Sequence, residues 1–155
     1  MSAYDTLGIF PDVSPVFKHL KDNSHIYPVV FSNGTSTMIS SSLTKSPDLS
    51  PHAELFRKVV VVESTKCFKP APEVYSHLCE QVGNGKKGQE KDVWLVSGNP
   101  FDVVGANTYG MRTCWVDRSG QGWTDHLGDG EAGRPTVIVK GLDEVVAKVE
   151  GFLRK

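Results

Sequence analysis

Three stretches of this chain place short polar or charged side chains where an apolar run stops. The first is Phe31-Ser32-Asn33-Gly34-Thr35. The hydroxyls of Ser32 and Thr35, the Asn33 amide and the N–H groups of a glycine-containing turn can hold an anionic oxygen. The same residues also make an ordinary turn with a helix N-cap. The second is Lys66-Cys67-Phe68-Lys69-Pro70-Ala71-Pro72-Glu73-Val74-Tyr75. Lys69 stands just before a helix whose start is fixed by proline, where an ammonium can be set against a carboxylate or phosphate. Lys66 is its competitor, and a solvated surface lysine is the plain alternative; the position against Pro70 favours Lys69. The third is Ser97-Gly98-Asn99-Pro100-Phe101-Asp102. Ser97 and Asn99 can donate or accept, and Asp102 can hold Lys69, orient a water or simply cap a helix.

These residues need elements to hold them. The runs Tyr27 to Phe31, Val59 to Val62, Val93 to Val96, Thr113 to Val116 and Thr136 to Val139 read as strands. Their unbroken apolar character predicts burial on both faces, as in a parallel sheet. Helical spacing appears over Val13 to Lys21, Ala71 to Val82, Asp102 to Tyr109 and Leu142 to Leu153. Asp102 at a helix start suits the positive end of the helix dipole. Strands alternating with helices predict a doubly wound, mostly parallel α/β fold. In such sheets ligands bind at the carboxyl ends of the strands, where the polar turns fall. Residues 83–91 read as a solvated glycine- and lysine-rich loop. Residues 119–135, rich in Gly, Asp and Arg, read as a loop that covers or borders something.

Bulk properties narrow the partners. A length of 155 residues gives one domain with a real core. The formal charge of -1 argues against nucleic acid or a membrane surface as partner. No apolar run is long enough for a bilayer, and the first residues lack a signal-peptide pattern. The three cysteines, Cys67, Cys79 and Cys114, fit neither a zinc site nor a disulfide framework. A reducing, cytoplasmic setting is expected. Cys114 reads as core, and Cys67 as a candidate to face the site.

Together the three polar stretches resemble the haloacid dehalogenase superfamily, most closely its L-2-haloacid dehalogenase branch. That branch has Ser-Asn-Gly after its second core strand and Lys-Pro-x-Pro-x-x-Tyr after its third. Its last motif is Ser-Ser-Asn-x-x-Asp-x-x-Gly-Ala, followed by Phe-Gly and Trp-x-Asn-Arg. This chain has Ser97-Gly98-Asn99-Pro100-Phe101-Asp102-Val103-Val104-Gly105-Ala106, then Tyr109-Gly110 and Trp115-Val116-Asp117-Arg118. The run Phe10-Pro11-Asp12-Val13, with Leu20-Lys21 after it, resembles the family's passage from cap back into core.

The resemblance implies a Rossmann-like hydrolase core, residues 1–155 forming a single partial domain that acts on a small carboxylic acid. Ser32 and Asn33 would contact the substrate carboxylate or the nucleophile's oxygens. Lys69 would stabilise the nucleophilic carboxylate. Ser97, Asn99 and Asp102 would hold Lys69 and position the hydrolytic water. Phosphatases of the superfamily usually carry an Asp where this chain has Gly98. Gly98 offers no ligand atom and Asn99 is a poor replacement, since magnesium prefers carboxylate and water oxygens. A metal-independent site without a cofactor is expected.

The resemblance also exposes what this sequence lacks. The family's reaction starts from an Asp at the end of the first core strand, in an Asp-x-x-Gly-Thr type motif, which attacks carbon and forms an ester that water cleaves. No such motif is present. Asp5-Thr6-Leu7-Gly8 follows no apolar strand. The first central strand and the helical cap are missing with it. A slot left open would strand backbone groups at about 1–3 kcal/mol each. Either the flanking strands ending at Phe31 and Val96 pair directly, another strand fills the slot, from a homo-oligomer or by strand exchange, or the chain is a fragment. Three functions remain open. It is a dehalogenase-like hydrolase completed by its missing half, a non-catalytic module binding a small molecule or protein, or a repurposed lyase or cyclase using Lys69 and Asp102 as acid and base.

Overall fold

A computed structural model of the chain describes residues 8–23, 25–125 and 130–155. Asp5 and part of the 119–135 loop lie outside the described residues. The chain divides into two compact units, Met1–Lys66 and Cys67–Lys155.

The first unit holds α1 (Val13–Asp22), β1 (Val29–Ser32), α2 (Ser36–Lys45) and β2 (Lys58–Val61). Strands β1 and β2 are parallel, with Val29 opposite Lys58 and Ser32 opposite Val61. Helix α1 buries Val13, Val16 and Phe17. The Phe17 ring lies 4.8 Å from the His52 ring and meets Phe56 edge-on at 5.7 Å. Aromatic pairs favour such tilted and edge-on arrangements.

Helix α2 is not legible from apolar spacing, because its sequence is STMISSSLTK. Serine and threonine compete for backbone groups and weaken a helical signal. Here they serve the helix instead. Thr35 accepts the Met38 N–H at 3.2 Å as N-cap. The Ser42 and Thr44 hydroxyls donate back to the carbonyls of Met38 and Ser40.

The second unit holds α3 (Pro72–Gln81), β3 (Trp94–Ser97), α4 (Pro100–Tyr109), β4 (Arg112–Val116), β5 (Val137–Val139) and α5 (Val145–Leu153). Its sheet is parallel in the order β3-β4-β5, with Ser97 opposite Trp115 and Trp115 opposite Ile138. One face carries Cys114, Val116 and Val139, packed with Val145 of α5 and flanked by Trp94, Leu142 and Val149. Helix α4 packs against β3 and β4. It ends at Gly110, whose φ of 110° is the left-handed turn that glycine adopts without strain. The Arg112 guanidinium lies over the rings of Trp94 and Phe152, at 5.8 and 5.2 Å.

The α/β class with parallel strands matches the sequence reading, and each strand falls within two residues of its expected place. Burial on both faces does not hold throughout. It holds for β4 beyond Arg112, because β4 is flanked on both sides. Val96 on β3 and Ile138 on β5 are 39% and 40% exposed, since their strands are the sheet's edges.

Candidate active site

The carboxyl end of β3 and the start of α4 form the best-defined polar site. Helix α4 begins two residues earlier than its apolar spacing predicts, with Asn99 as N-cap and Pro100 in the first turn. Proline is favoured there because its missing N–H would have had no helical partner. That start sets Asp102 in the first helical turn, where the dipole favours a carboxylate. Asp102 is 4% exposed.

Two side chains from the neighbouring segment converge on this carboxylate. Lys69 Nζ lies 2.9 Å from Asp102 Oδ2, with both side chains nearly excluded from solvent. The Tyr75 hydroxyl donates to Asp102 Oδ1 at 2.8 Å and lies 3.2 Å from the Asp102 carbonyl. Tyr75 is fully buried on α3. Burial draws the Lys69 ammonium below its usual pKa, while Asp102 works against that shift by charge and hydrogen bond. Burial first, and the Asp102 charge second, push the Tyr75 hydroxyl well above its usual range. Tyr75 therefore stays a donor, and the carboxylate is held at both oxygens.

Close packing makes this arrangement possible. A Cβ on Gly105 would meet the Tyr75 hydroxyl oxygen at 2.6 Å and Pro70 Cβ at 2.7 Å. Gly105 thus lets α4 approach the Lys69–Tyr75 segment. An apolar cleft of about 460 Å³ opens along the same elements, lined by Pro70, Phe101, Val104 and Tyr109 among others.

Ser97 and Asn99 are placed at the mouth of β3. Ser97 Oγ accepts the Asn99 N–H at 3.0 Å, fixing the turn and leaving the exposed Asn99 outside the helix. Gly98 has room for a side chain, since an added Cβ would meet only the Val116 carbonyl at 3.7 Å. Asp117 closes the next turn by accepting from Gly122 N–H and the Ser119 hydroxyl at 2.8 Å and from Gly120 N–H at 3.0 Å. The Gly122 bond leads in holding the Asp117 carboxyl below its ordinary pKa.

Ser32 and Asn33 belong to the first unit. Ser32 Oγ accepts the Gly34 N–H at 3.0 Å, and the Ser36 N–H donates to the Glu63 carboxylate at 2.6 Å. Part of the donor set that could meet an anion is therefore already engaged. Among the thiols, Cys114 is fully buried, and burial pushes its pKa up to about 12, so it is a core residue. Cys67 is half-buried.

Of the residues singled out by sequence, the structure brings Lys69 and Asp102 into contact and seats Ser97 and Asn99 on the same strand–helix turn. The sequence reading counted Tyr75 only as part of a helix's apolar face. Its one signal was its place in the Lys-Pro-x-Pro-x-x-Tyr run, because periodicity cannot show that a buried ring carries a hydroxyl aimed at a carboxylate.

Comparison with known proteins decides the lineage. The family model described as Haloacid dehalogenase-like hydrolase matches residues 2–116. The chain belongs to that family. Its curated relatives are named as 2-haloacid dehalogenases and a haloacetate dehalogenase. It is 32% identical over 146 residues to (S)-2-haloacid dehalogenase H-109 of Pseudomonas putida, covering 92% of this chain and 58% of the relative. It is 29% identical over 120 residues to (S)-2-haloacid dehalogenase 4A of Burkholderia cepacia, covering 77% and 48%. The chain thus spans about half the length of the curated relatives it matches. Among solved structures, L-2-haloacid dehalogenase from Xanthobacter autotrophicus with chloropropionic acid covalently bound shares the fold. That likeness has a TM-score of 0.77 at 24% identity, covering 96% of this chain and 64% of that one.

Proposed function

We propose that this haloacid dehalogenase-like chain forms the supporting part of a hydrolytic site for small 2-haloacids, within one core domain that includes both units. The observation that carries this reading is the buried Lys69–Asp102–Tyr75 network at the carboxyl end of a parallel strand. A nucleophilic carboxylate supplied by a separate first-strand segment attacks the halogen-bearing carbon. A carbon–oxygen bond forms as the carbon–halogen bond breaks, and halide leaves with the electron pair. Water then cleaves the ester, returning the carboxylate and giving a 2-hydroxy acid and a proton. Lys69 offsets charge on the nucleophilic carboxylate. Asp102 holds Lys69 and, with Ser97 and Asn99, positions the water. Ser32 and Asn33 bind the substrate carboxylate.

The residues present do not fit magnesium. Gly98 has no ligand atom, and both Asp102 oxygens are engaged by Lys69 and Tyr75. The reading is therefore of metal-independent hydrolysis. Three free cysteines fit a reducing, cytoplasmic setting, and no helix among the described residues is long and apolar enough to cross a membrane.

The test is halide release from L-2-chloropropionate. The chain alone is expected to release none. Adding a segment with an apolar strand ending in Asp-x-x-Gly-Thr restores release, and Lys69→Ala in the complemented protein abolishes it. Release that survives Lys69→Ala would sink the assigned role. The second reading is a non-catalytic or repurposed relative. No release on complementation, with turnover or binding of another metabolite by the chain alone, would select it.

A further inference from the structure

The geometry points to a second ligand site: a cavity within the first unit that binds a small amphipathic carboxylate, one with an aromatic or branched-aliphatic body and a single anionic head. The cavity measures about 320 Å³, at the small end of the range for ligand pockets. Its apolar lining residues Phe17, Leu20, Ile26 and Leu55 are buried or half-buried and form its floor. Phe17 is 8% exposed, and the rings of His52 and Phe56 hold it from two sides. That floor is therefore a fixed apolar surface.

The rim is charged. Lys21, Arg57 and Glu54 are its exposed charged residues, two cations against a single carboxylate. The two cations outnumber the one anion and leave the mouth positive. Among the described residues neither Lys21 nor Arg57 is held in an ion pair. Arg57 also starts from an anchored point, because its N–H donates to the Pro28 carbonyl at 2.9 Å beside the start of β2. A guanidinium presents a planar fork that matches a carboxylate at two oxygens.

An apolar floor beneath a cationic rim is complementary to a molecule with the opposite arrangement, an apolar body ending in an anion. Every lining residue precedes Cys67. The site uses none of Ser32, Asn33, Lys69, Ser97, Asn99 or Asp102, and it does not depend on the hydrolase reading.

The experiment is a titration of the isotope-labelled full chain with 3-phenylpropanoate, followed by amide chemical shifts. Saturable shifts are expected at Leu20, Ile26, Leu55 and Arg57. Arg57→Gln weakens binding about tenfold, Arg57→Lys weakens it less, and 3-phenylpropanol binds about as poorly to the wild-type chain as the acid does to Arg57→Gln. Each variant's unperturbed amide shifts away from the cavity show that it folds. The proposal fails if no saturable shift appears in the millimolar range. It fails equally if the shifts cluster around Lys69 and Asp102 instead, or if the alcohol binds as well as the acid.

Discussion

The turns after β1 and β3 are built on one local plan and finished in opposite ways. In each, the last strand residue is a serine whose Oγ accepts the N–H two residues on, at 3.0 Å: Ser32 with Gly34, and Ser97 with Asn99. In each, a helix then begins. After β1 the helix is capped by Thr35, and its Ser36 N–H donates to the Glu63 carboxylate, 27 residues away and exposed to solvent. After β3 the cap residue Asn99 makes no side-chain cap bond. Asp102, three residues on, is buried and held by Lys69 and Tyr75 from 33 and 27 residues away. Both turns therefore draw a side chain from 27 or more residues away, but the first makes its contact exposed to solvent and the second makes it buried. The difference teaches that one polar motif can be a solvated cap or a poised site, depending on whether burial forces its charge to find a partner.

The sharpest way to break this contrast is Lys69→Met, which leaves a buried carboxylate without its cation. A loss of about 3–5 kcal/mol is expected in urea denaturation. Tryptophan fluorescence reads it well, since Trp94, Trp115 and Trp123 all lie in the second unit. A loss no larger than the fraction of a kcal/mol typical of exposed pairs would put the two turns on the same footing.

Next comes Tyr75→Phe, expected to cost about 1.5–3 kcal/mol through the lost hydrogen bond to a charged group. It also carries a pH signature. The raised pKa of Tyr75 means that the folded chain keeps a proton the unfolded chain gives up above pH 10.0. Stability from this group is full below that pH and declines as pH rises above it. In Tyr75→Phe the alkaline decline becomes shallower. An identical alkaline limb in both proteins would show that the hydroxyl is not the buried donor described.

Gly105→Ala sharpens the comparison from the packing side. The added methyl meets Tyr75 and Pro70 at under 3 Å, and overpacking of this kind costs about 1–3 kcal/mol. It should also slow halide release in the complemented protein, because Tyr75 must shift. The smallest effect belongs to the first turn. Thr35→Ala removes only a cap and is expected to cost about 1 kcal/mol, read by far-ultraviolet circular dichroism. A loss as large as that of Lys69→Met would mean that the exposed turn is held as tightly as the buried one.

The fold is largely legible in the sequence, because strands of β-branched residues and helices of apolar spacing announce themselves locally. The exceptions have physical causes. Helix α2 hid behind serines and threonines, whose hydroxyls serve as caps and back-bonded groups only once the helix exists. The early start of α4 is written in Pro100, which carries no apolar periodicity. The expected burial of Val96 and Ile138 failed because apolar content says nothing about which strands become edges.

The candidate site divides in the same way. Sequence alone determined the residue types, their order, and the absence of a ligand atom at Gly98, since these are fixed by covalent structure. It determined the family too, through three motifs in order along nearly the whole chain. Only the tertiary structure decided that Lys69 rather than Lys66 meets Asp102, that Tyr75 holds the other oxygen, and that Gly105 clears the space for both. Those contacts join residues tens of positions apart. Their energies come from burial, which no local pattern along the chain records.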